Sequence, residues 1–195
     1  MSSYKNSRSS RGYIVWSQVC LLVFIGICFV IEPRYFLQAD QGGISNYGTL
    51  NTTIIPYTLA FLGAGVLMAQ AARKLRMQAQ LRVTLFVIAG EYLFVALTTY
   101  PYKLNEFFRS LHELSAQLLA LSIVLVGLYW ALLKYRDARN VGYAFVLFVG
   151  LVLGVLTMLE RITLLYTAEI LIGLGFGLIL VHSINKINRV EKKTK

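Results

Sequence analysis

Six long apolar blocks constrain this chain more than any other feature of its sequence. They cover residues 13–31, 54–72, 83–100, 112–133, 141–159 and 164–184, and each is almost free of charge. A helix needs about 20 such residues to cross a hydrocarbon core roughly 30 Å thick. Hydrocarbon offers a backbone amide no partner outside its own segment, so each block is predicted to be a transmembrane α-helix. The blocks lack the alternating polarity of barrel strands, which excludes a transmembrane β-barrel.

The composition supports the same class. Hydrophobic residues make up 57% of the 195 residues and charged residues only 14%, whereas a soluble domain carries about 45–50% and about 25%. Too few polar helix faces remain to cover six apolar helices in a soluble core. We therefore expect an all-α polytopic membrane protein, a bundle of six transmembrane helices.

Basic residues fall mainly on one side of the predicted bundle. Fifteen of the 19 Lys and Arg residues lie before helix 1, between helices 2 and 3, between helices 4 and 5, or after helix 6. Because basic loops stay in the cytoplasm, both termini are predicted to be cytoplasmic, in a multi-pass protein of the cell membrane (plasma or inner). Topology and attraction to anionic lipids thus explain the net charge of +10. No interleaving of aromatic and basic residues points to nucleic acid.

The sequence predicts three parts: a basic cytoplasmic arm at 1–12, the six-helix transmembrane domain at 13–184, and a basic cytoplasmic tail at 185–195. The first span exceeds the apolar core of a signal peptide, which is about 7–15 residues long, and lacks a small-x-small cleavage site. We therefore expect it to be retained. Cys20 and Cys28 are about 12 Å apart along a helix, which is too far for a disulfide.

Glycines recur at helical spacing in the last two spans: Gly150, Gly154, Gly173, Gly175 and Gly177. Small residues spaced by four let helix backbones approach closely in lipid. Because only residues 160–163 separate them, helices 5 and 6 are predicted to form a tight hairpin. The alternative is that these faces bind a partner membrane protein or a second copy of the chain.

Two carboxylates lie within predicted spans. Glu91 is about 12 Å from the cytoplasmic end of helix 3, and Glu169 is about 9 Å from the external end of helix 6. An isolated charge at such a depth costs at least about 2.5 kcal/mol. Each side chain is therefore predicted to be protonated, paired or turned toward a wet cavity. Arg161, in the turn before helix 6, is the candidate charge partner, and tyrosines such as Tyr57 and Tyr166 are the alternative.

His112 stands beside Glu113 at the external end of helix 4. Ser110 and Glu113 match the S-x-x-E capping box, so Glu113 is either a cap or a ligand carboxylate. His112 is either a polar residue at the membrane interface or a group that titrates near neutral pH. We expect four side chains to line an outward-facing polar pocket: Glu91, His112, Glu113 and Glu169. The two histidines lie near opposite faces of the membrane, so neither a metal site nor another cofactor is predicted.

Two short motifs in the chain resemble those of one known group of proteins. They are the run Gly-Ile-Ser-Asn-Tyr-Gly at 43–48 and a Pro-containing turn followed by His112-xxx-Ala116. Together with six short-looped helices, they are similar to the prokaryotic integral-membrane family called domain of unknown function 998 and its distant DRAM-like relatives in eukaryotes. The resemblance implies the fold and a membrane location, and the eukaryotic relatives imply lipid-linked roles. That family typically carries an acid in the loop motif, where this chain has Asn46.

The sequence favours binding of a lipid head group or a small cation in the predicted pocket, with Glu91 and Glu169 supplying negative charge. A structural or assembly subunit of a membrane complex is the first alternative. A proton-coupled transporter is another, motivated by Glu91, although the chain lacks an internal repeat and matching broken helices. A membrane-embedded lipid hydrolase stays open, although a serine and a histidine so near along one helix rarely align as nucleophile and base.

Overall fold

Every regular element in the described part of the chain is helical. The computed structural model describes residues 2–34, 43–75, 79–99 and 105–193. The elements are α1 (Ser2–Ile31), a 3-10 helix (Ile44–Thr49), α2 (Ile54–Lys74), α3 (Ala79–Thr99), α4 (Glu106–Leu128) with a π-helical extension (Tyr129–Lys134), α5 (Ala138–Met158) and α6 (Leu165–Lys193). Each of the six α-helices contains a stretch long and apolar enough to cross a membrane. The predicted all-α bundle of six transmembrane helices is therefore confirmed.

The two ends of the bundle differ in what they carry. An even number of crossings places both chain termini on the same side, at what we call the terminal end. The opposite end, called the loop end, carries the 3-10 helix Ile44–Thr49. The helices at both chain ends extend past the apolar blocks, because α1 begins at Ser2 and α6 continues to Lys193.

The start of α4 differs from the prediction. The helix begins at Glu106, and Asn105 is its N-cap, with a side-chain oxygen that accepts a hydrogen bond from the Phe108 N–H at 3.1 Å. An Asn at this position satisfies one of the free amides of the first turn. The capping box predicted at Ser110 and Glu113 is therefore wrong, because both residues already lie inside the helix.

Five helices form a ring in the order α1, α2, α3, α4 and α6, and α6 closes the ring against α1. α5 lies outside this ring and packs against α6 and α4. On the α1–α2 side, serine hydroxyls bond to backbone carbonyls of the neighbouring helix: Ser10 to Ala71 at 3.0 Å and Ser17 to Ala64 at 3.1 Å. Cys20 and Cys28 of α1 are free thiols, as predicted.

The backbones of α5 and α6 approach each other closely in their hairpin. A Cβ atom placed on Gly150 would lie 2.9 Å from the Ala168 carbonyl oxygen and 2.9 Å from the Ile172 nitrogen. A Cβ atom on Gly175 would lie 2.8 Å from the Leu147 nitrogen. The predicted tight hairpin is therefore confirmed, and its glycines are what allow the two backbones to approach.

We expect Gly175→Ala to lower the free energy of unfolding by about 1–3 kcal/mol, because its methyl group has no room beside the Leu147 backbone. Gly173→Ala is a matched control in the same helix, since a Cβ atom there meets nothing within 4 Å. The control should be neutral or stabilise by up to about 1 kcal/mol. Reversible denaturation in detergent micelles measures both, and equal stability of the two variants would contradict this packing.

Candidate functional site

The ring of five helices encloses a cavity of about 590 Å³. All five ring helices contribute to its wall, and Ile44 and Ser45 of the 3-10 helix cover it at the loop end. Most lining side chains are aliphatic or aromatic. The polar exceptions among the described lining residues are few: Gln18, Ser45, Tyr57, Tyr92, Tyr166 and Glu169.

Exposed lining residues show where the cavity reaches the surface of the bundle. Large side chains of α1 line the cavity while staying exposed by 56% at Leu22 and 40% at Phe29. On α6, Leu174 and Leu178 do the same at 42% and 37%. The surface of a transmembrane bundle faces lipid, so the cavity opens sideways toward the hydrocarbon along the seam between α1 and α6.

Glu169 lies where the cavity meets the 3-10 helix. Its Oε2 atom accepts a hydrogen bond from the backbone N–H of Ile44. Gly43, just before that helix, has a φ of +68°, and a Cβ atom there would lie 2.7 Å from both carboxylate oxygens. Only glycine adopts this backbone conformation at low cost and leaves room for the carboxylate. The carboxylate also faces the positive end of a helical turn, so it fixes the segment between α1 and α2 to α6.

Further contacts hold the same loop on the bundle. The Thr53 hydroxyl donates to the Tyr47 carbonyl oxygen at 2.6 Å, and both residues are fully buried. The Tyr47 ring packs edge-on against Tyr166 of α6, with centroids 6.0 Å apart. A Cβ atom on Gly48 would lie within 3 Å of Thr99 and Tyr57. Residues 43–53 therefore form a fitted cover over the loop end of the cavity.

Glu91 has a different partner from Glu169. The Ser122 hydroxyl of α4 donates to its Oε1 atom at 2.6 Å, which links α3 to α4 at membrane depth. Its Oε2 atom is buried without a hydrogen-bond partner among the described residues. Glu91 is not among the residues that line the cavity.

His112 is buried between α3 and α4, with only 2% of its surface exposed. Its Nδ1 atom lies 3.0 Å from the Thr98 hydroxyl, which is also 3.2 Å from the Ser115 hydroxyl. The His112 ring lies 6.5 Å from the Tyr57 ring, measured between centroids. The histidine thus belongs to a polar cluster behind the cavity wall.

The remaining predicted residues lie on the surface. Glu113 is exposed and pairs with Arg109 one turn earlier at 3.0 Å. Arg161 is exposed in the turn between α5 and α6, and no ion pair joins it to a glutamate among the described residues. Of the four side chains predicted to share a pocket, Glu169 alone lines the cavity, and Glu91, His112 and Glu113 have separate partners.

Sequence reasoning missed two polar residues of the cavity as candidate site residues. Gln18 of α1 lines the cavity, and its Nε2 atom is buried without a hydrogen-bond partner among the described residues. An amide in the middle of a transmembrane block was a readable signal, because polar groups in lipid point toward the protein interior. Ser45 belongs to the motif at 43–48, but a serine in a loop does not by itself indicate a cavity.

A second polar cluster lies at the terminal end. The Asp137 carboxylate accepts the backbone N–H of Asn140 at 2.9 Å and so caps α5. It also lies 2.9 Å from His182 Nε2 and 3.5 Å from Lys186 Nζ, both on α6. The Asn140 hydrogen bond, and then His182 and Lys186, lower the pKa of Asp137 to about 2, against the opposing effect of burial. This cluster joins α5 to α6 closer to the terminal end than their glycine contacts.

No family model, curated protein or solved structure matches this chain. The resemblance to the membrane family with a loop motif at 43–48 therefore stays a prediction. Among the described residues, no group of three or more His, Cys, Asp or Glu side chains could hold a metal ion.

We expect Gly43→Ala to lower the free energy of unfolding by about 1–3 kcal/mol, from the strained φ and from collision with the Glu169 carboxylate. In a Glu169→Ala background the collision is absent, so the same change should cost less. The non-additivity is read from a double-mutant cycle by denaturation in detergent. An identical cost in both backgrounds would mean that the carboxylate does not seat the loop.

Asp137→Asn tests the terminal-end cluster, because Asn keeps a capping oxygen but cannot ionise. The pKa of Asp137 lies below its ordinary value of 3.8, so the charged form stabilises the fold above that pH, and this contribution is lost as the pH falls toward about 2. We expect the wild type to melt higher than the variant at about pH 4–5, with a difference that shrinks toward about pH 2. A difference that stays constant over this range would exclude the stabilising charge.

Proposed function

We propose that this integral membrane protein binds a lipid, which enters the central cavity from the bilayer through the seam between α1 and α6. The observation that carries the proposal is the cavity itself, about 590 Å³ in volume and lined mostly by apolar side chains. Binding sites for small molecules commonly have volumes of about 300–1,000 Å³ and few polar groups. The apolar wall suits a hydrocarbon chain.

The side opening supports a ligand that comes from the membrane. Leu22 and Phe29 on α1, with Leu174 and Leu178 on α6, are both lining residues and lipid-facing residues. A chain that moves along this path stays in contact with apolar groups throughout, so it loses no favourable environment on entry. A water-soluble ligand would have to cross the fitted cover of residues 43–53 or pass through hydrocarbon.

The position of Glu169 supports a polar head at the loop end. Glu169 lies four residues after the start of α6, which is about 6 Å along the helix axis. Ser45 and Tyr57 also line the cavity near this level. A bound lipid would therefore keep its head near the membrane interface and its chain in the apolar part of the ring.

The alternatives receive less support. A small hard cation takes about six to eight oxygen ligands, and Glu169 is the one carboxylate among the described lining residues. The glycines that motivated an assembly subunit contact neighbours within the bundle at Gly150, Gly175 and Gly177. Glu91, which motivated proton transport, bonds to Ser122 away from the cavity.

The experiment fills part of the cavity with a phenyl ring introduced at one glycine position. Gly173 lines the cavity, and a Cβ atom there meets nothing within 4 Å, so Gly173→Phe projects a ring into the open volume. Gly142→Phe is the matched control, since Gly142 of α5 has the same free space and does not line the cavity. Native mass spectrometry after delipidation in detergent counts the lipids that stay bound.

We expect the wild type and Gly142→Phe to retain a lipid, and Gly173→Phe to lose most of it while its thermal unfolding stays close to that of the control. Retention of lipid at the same occupancy in all three proteins would place the bound lipid elsewhere and overturn the proposal.

A further inference from the structure

We infer that the lipid bound in this cavity carries an ammonium head group, held by Glu169 between the rings of Tyr57 and Tyr166. The inference rests on the proposed lipid binding and adds the chemistry of the head group. Its basis is the combination of charge, hydrogen-bond acceptors and aromatic surface at the loop end of the cavity.

The described lining of the cavity carries an acidic side chain and no basic one. Glu169 is its one ionisable carboxylate among the described lining residues, and no Lys, Arg or His is among them. A carboxylate in apolar surroundings costs several kcal/mol unless a cation or a proton neutralises it. Since Arg161 makes no ion pair with it, a ligand cation is a natural counter-charge. The same charge disfavours a fatty acid or any other ligand with an anionic group at this position.

Among the described residues, Glu169 also has an acceptor atom to offer. Its Oε2 atom accepts the Ile44 N–H, and no described residue donates to its Oε1 atom. The neighbouring Ser45 hydroxyl lines the cavity as well. A primary ammonium has three N–H donors and no acceptor, so it matches a site whose available groups are a carboxylate oxygen and a hydroxyl.

Two tyrosine rings line the same cavity as the carboxylate, near its loop end. Tyr166 lies three residues before Glu169 and therefore on the same face of α6. Tyr57 of α2 packs against the cover at the loop end, since a Cβ atom on Gly48 would lie 2.9 Å from its ring. Both rings line the cavity. A cation near the face of a tyrosine ring is attracted by the ring quadrupole, more strongly where water is excluded. Carboxylate and aromatic rings together favour an ammonium over a neutral hydroxyl.

The test compares three single-chain ligands of equal length that differ only in the head: an alkyl amine, an alkyl alcohol and an alkyl carboxylic acid. Each is titrated at neutral pH into the delipidated protein in a non-ionic detergent, and binding is followed by native mass spectrometry. We expect the wild type to bind the amine at least about tenfold more tightly than the alcohol, and the acid most weakly. Glu169→Gln, which still accepts the Ile44 N–H, should bind the amine no better than the alcohol.

Two further variants keep the inference testable if Glu169→Gln disturbs the loop. Tyr166→Phe retains the ring and should keep the preference for the amine, whereas Tyr166→Leu should reduce it severalfold with little effect on the alcohol. Glu113→Gln, at an exposed carboxylate outside the cavity, should behave as the wild type.

The outcomes separate the two levels of the proposal. Equal affinity for amine, alcohol and acid, all reduced by Gly173→Phe, would leave lipid binding intact and overturn the ammonium head group. A preference for the amine that survives Glu169→Gln and Tyr166→Leu would also overturn it. Failure of all three ligands to bind the wild type would instead count against lipid binding itself.

Discussion

Inside hydrocarbon, each polar group of this protein has to find its partner within the bundle, and much of the helix packing follows from that constraint. Ser10 and Ser17 bond to carbonyl oxygens of α2, which ties the first helix to the second. Ser122 of α4 reaches Glu91 of α3, and Glu169 holds the segment between α1 and α2 in place. Such bonds are individually modest in membranes, at about 0.6–2 kcal/mol, but they fix which helix faces meet.

The cavity follows from the way the ring is filled. Five helices around a common axis leave space in the middle unless large side chains occupy it. On α4 and α6, several inward positions carry small residues, including Ala116, Ala120 and Gly173. Toward the terminal end, large side chains such as Trp130 and Met68 fill the interior. The void therefore results from residue sizes that change along the ring helices.

The helices could be predicted almost completely from the sequence, because twenty apolar residues have few other stable states in a bilayer. The hairpin of α5 and α6 was predictable too, since a short turn and a Gly150-xxx-Gly154 pattern constrain both partners. The start of α4 was not, because Asn105 and Ser110 are both good caps and local sequence does not decide between them.

The site was predictable only in part. A carboxylate within a span signals an inward-facing group, and that reasoning found Glu169. It could not distinguish Glu169, which lines the cavity, from Glu91, which bonds to Ser122. That difference depends on the order of helices around the ring, and helix order arises from long-range packing. Gln18 carried a readable signal, but the sequence does not show which residue it packs against. In the structure its side chain contacts Gly177 of α6, where a Cβ atom would lie 2.8 Å from it.

The place of α6 in the ring has a consequence for biosynthesis. α6 follows α1 to α5 in the chain, yet it stands between α4 and α1 and completes the ring. Without α6, the ring of helices has an open side between α4 and α1. If the protein binds a lipid as we propose, that lipid can be enclosed when α6 inserts as well as admitted afterwards through the seam between α1 and α6.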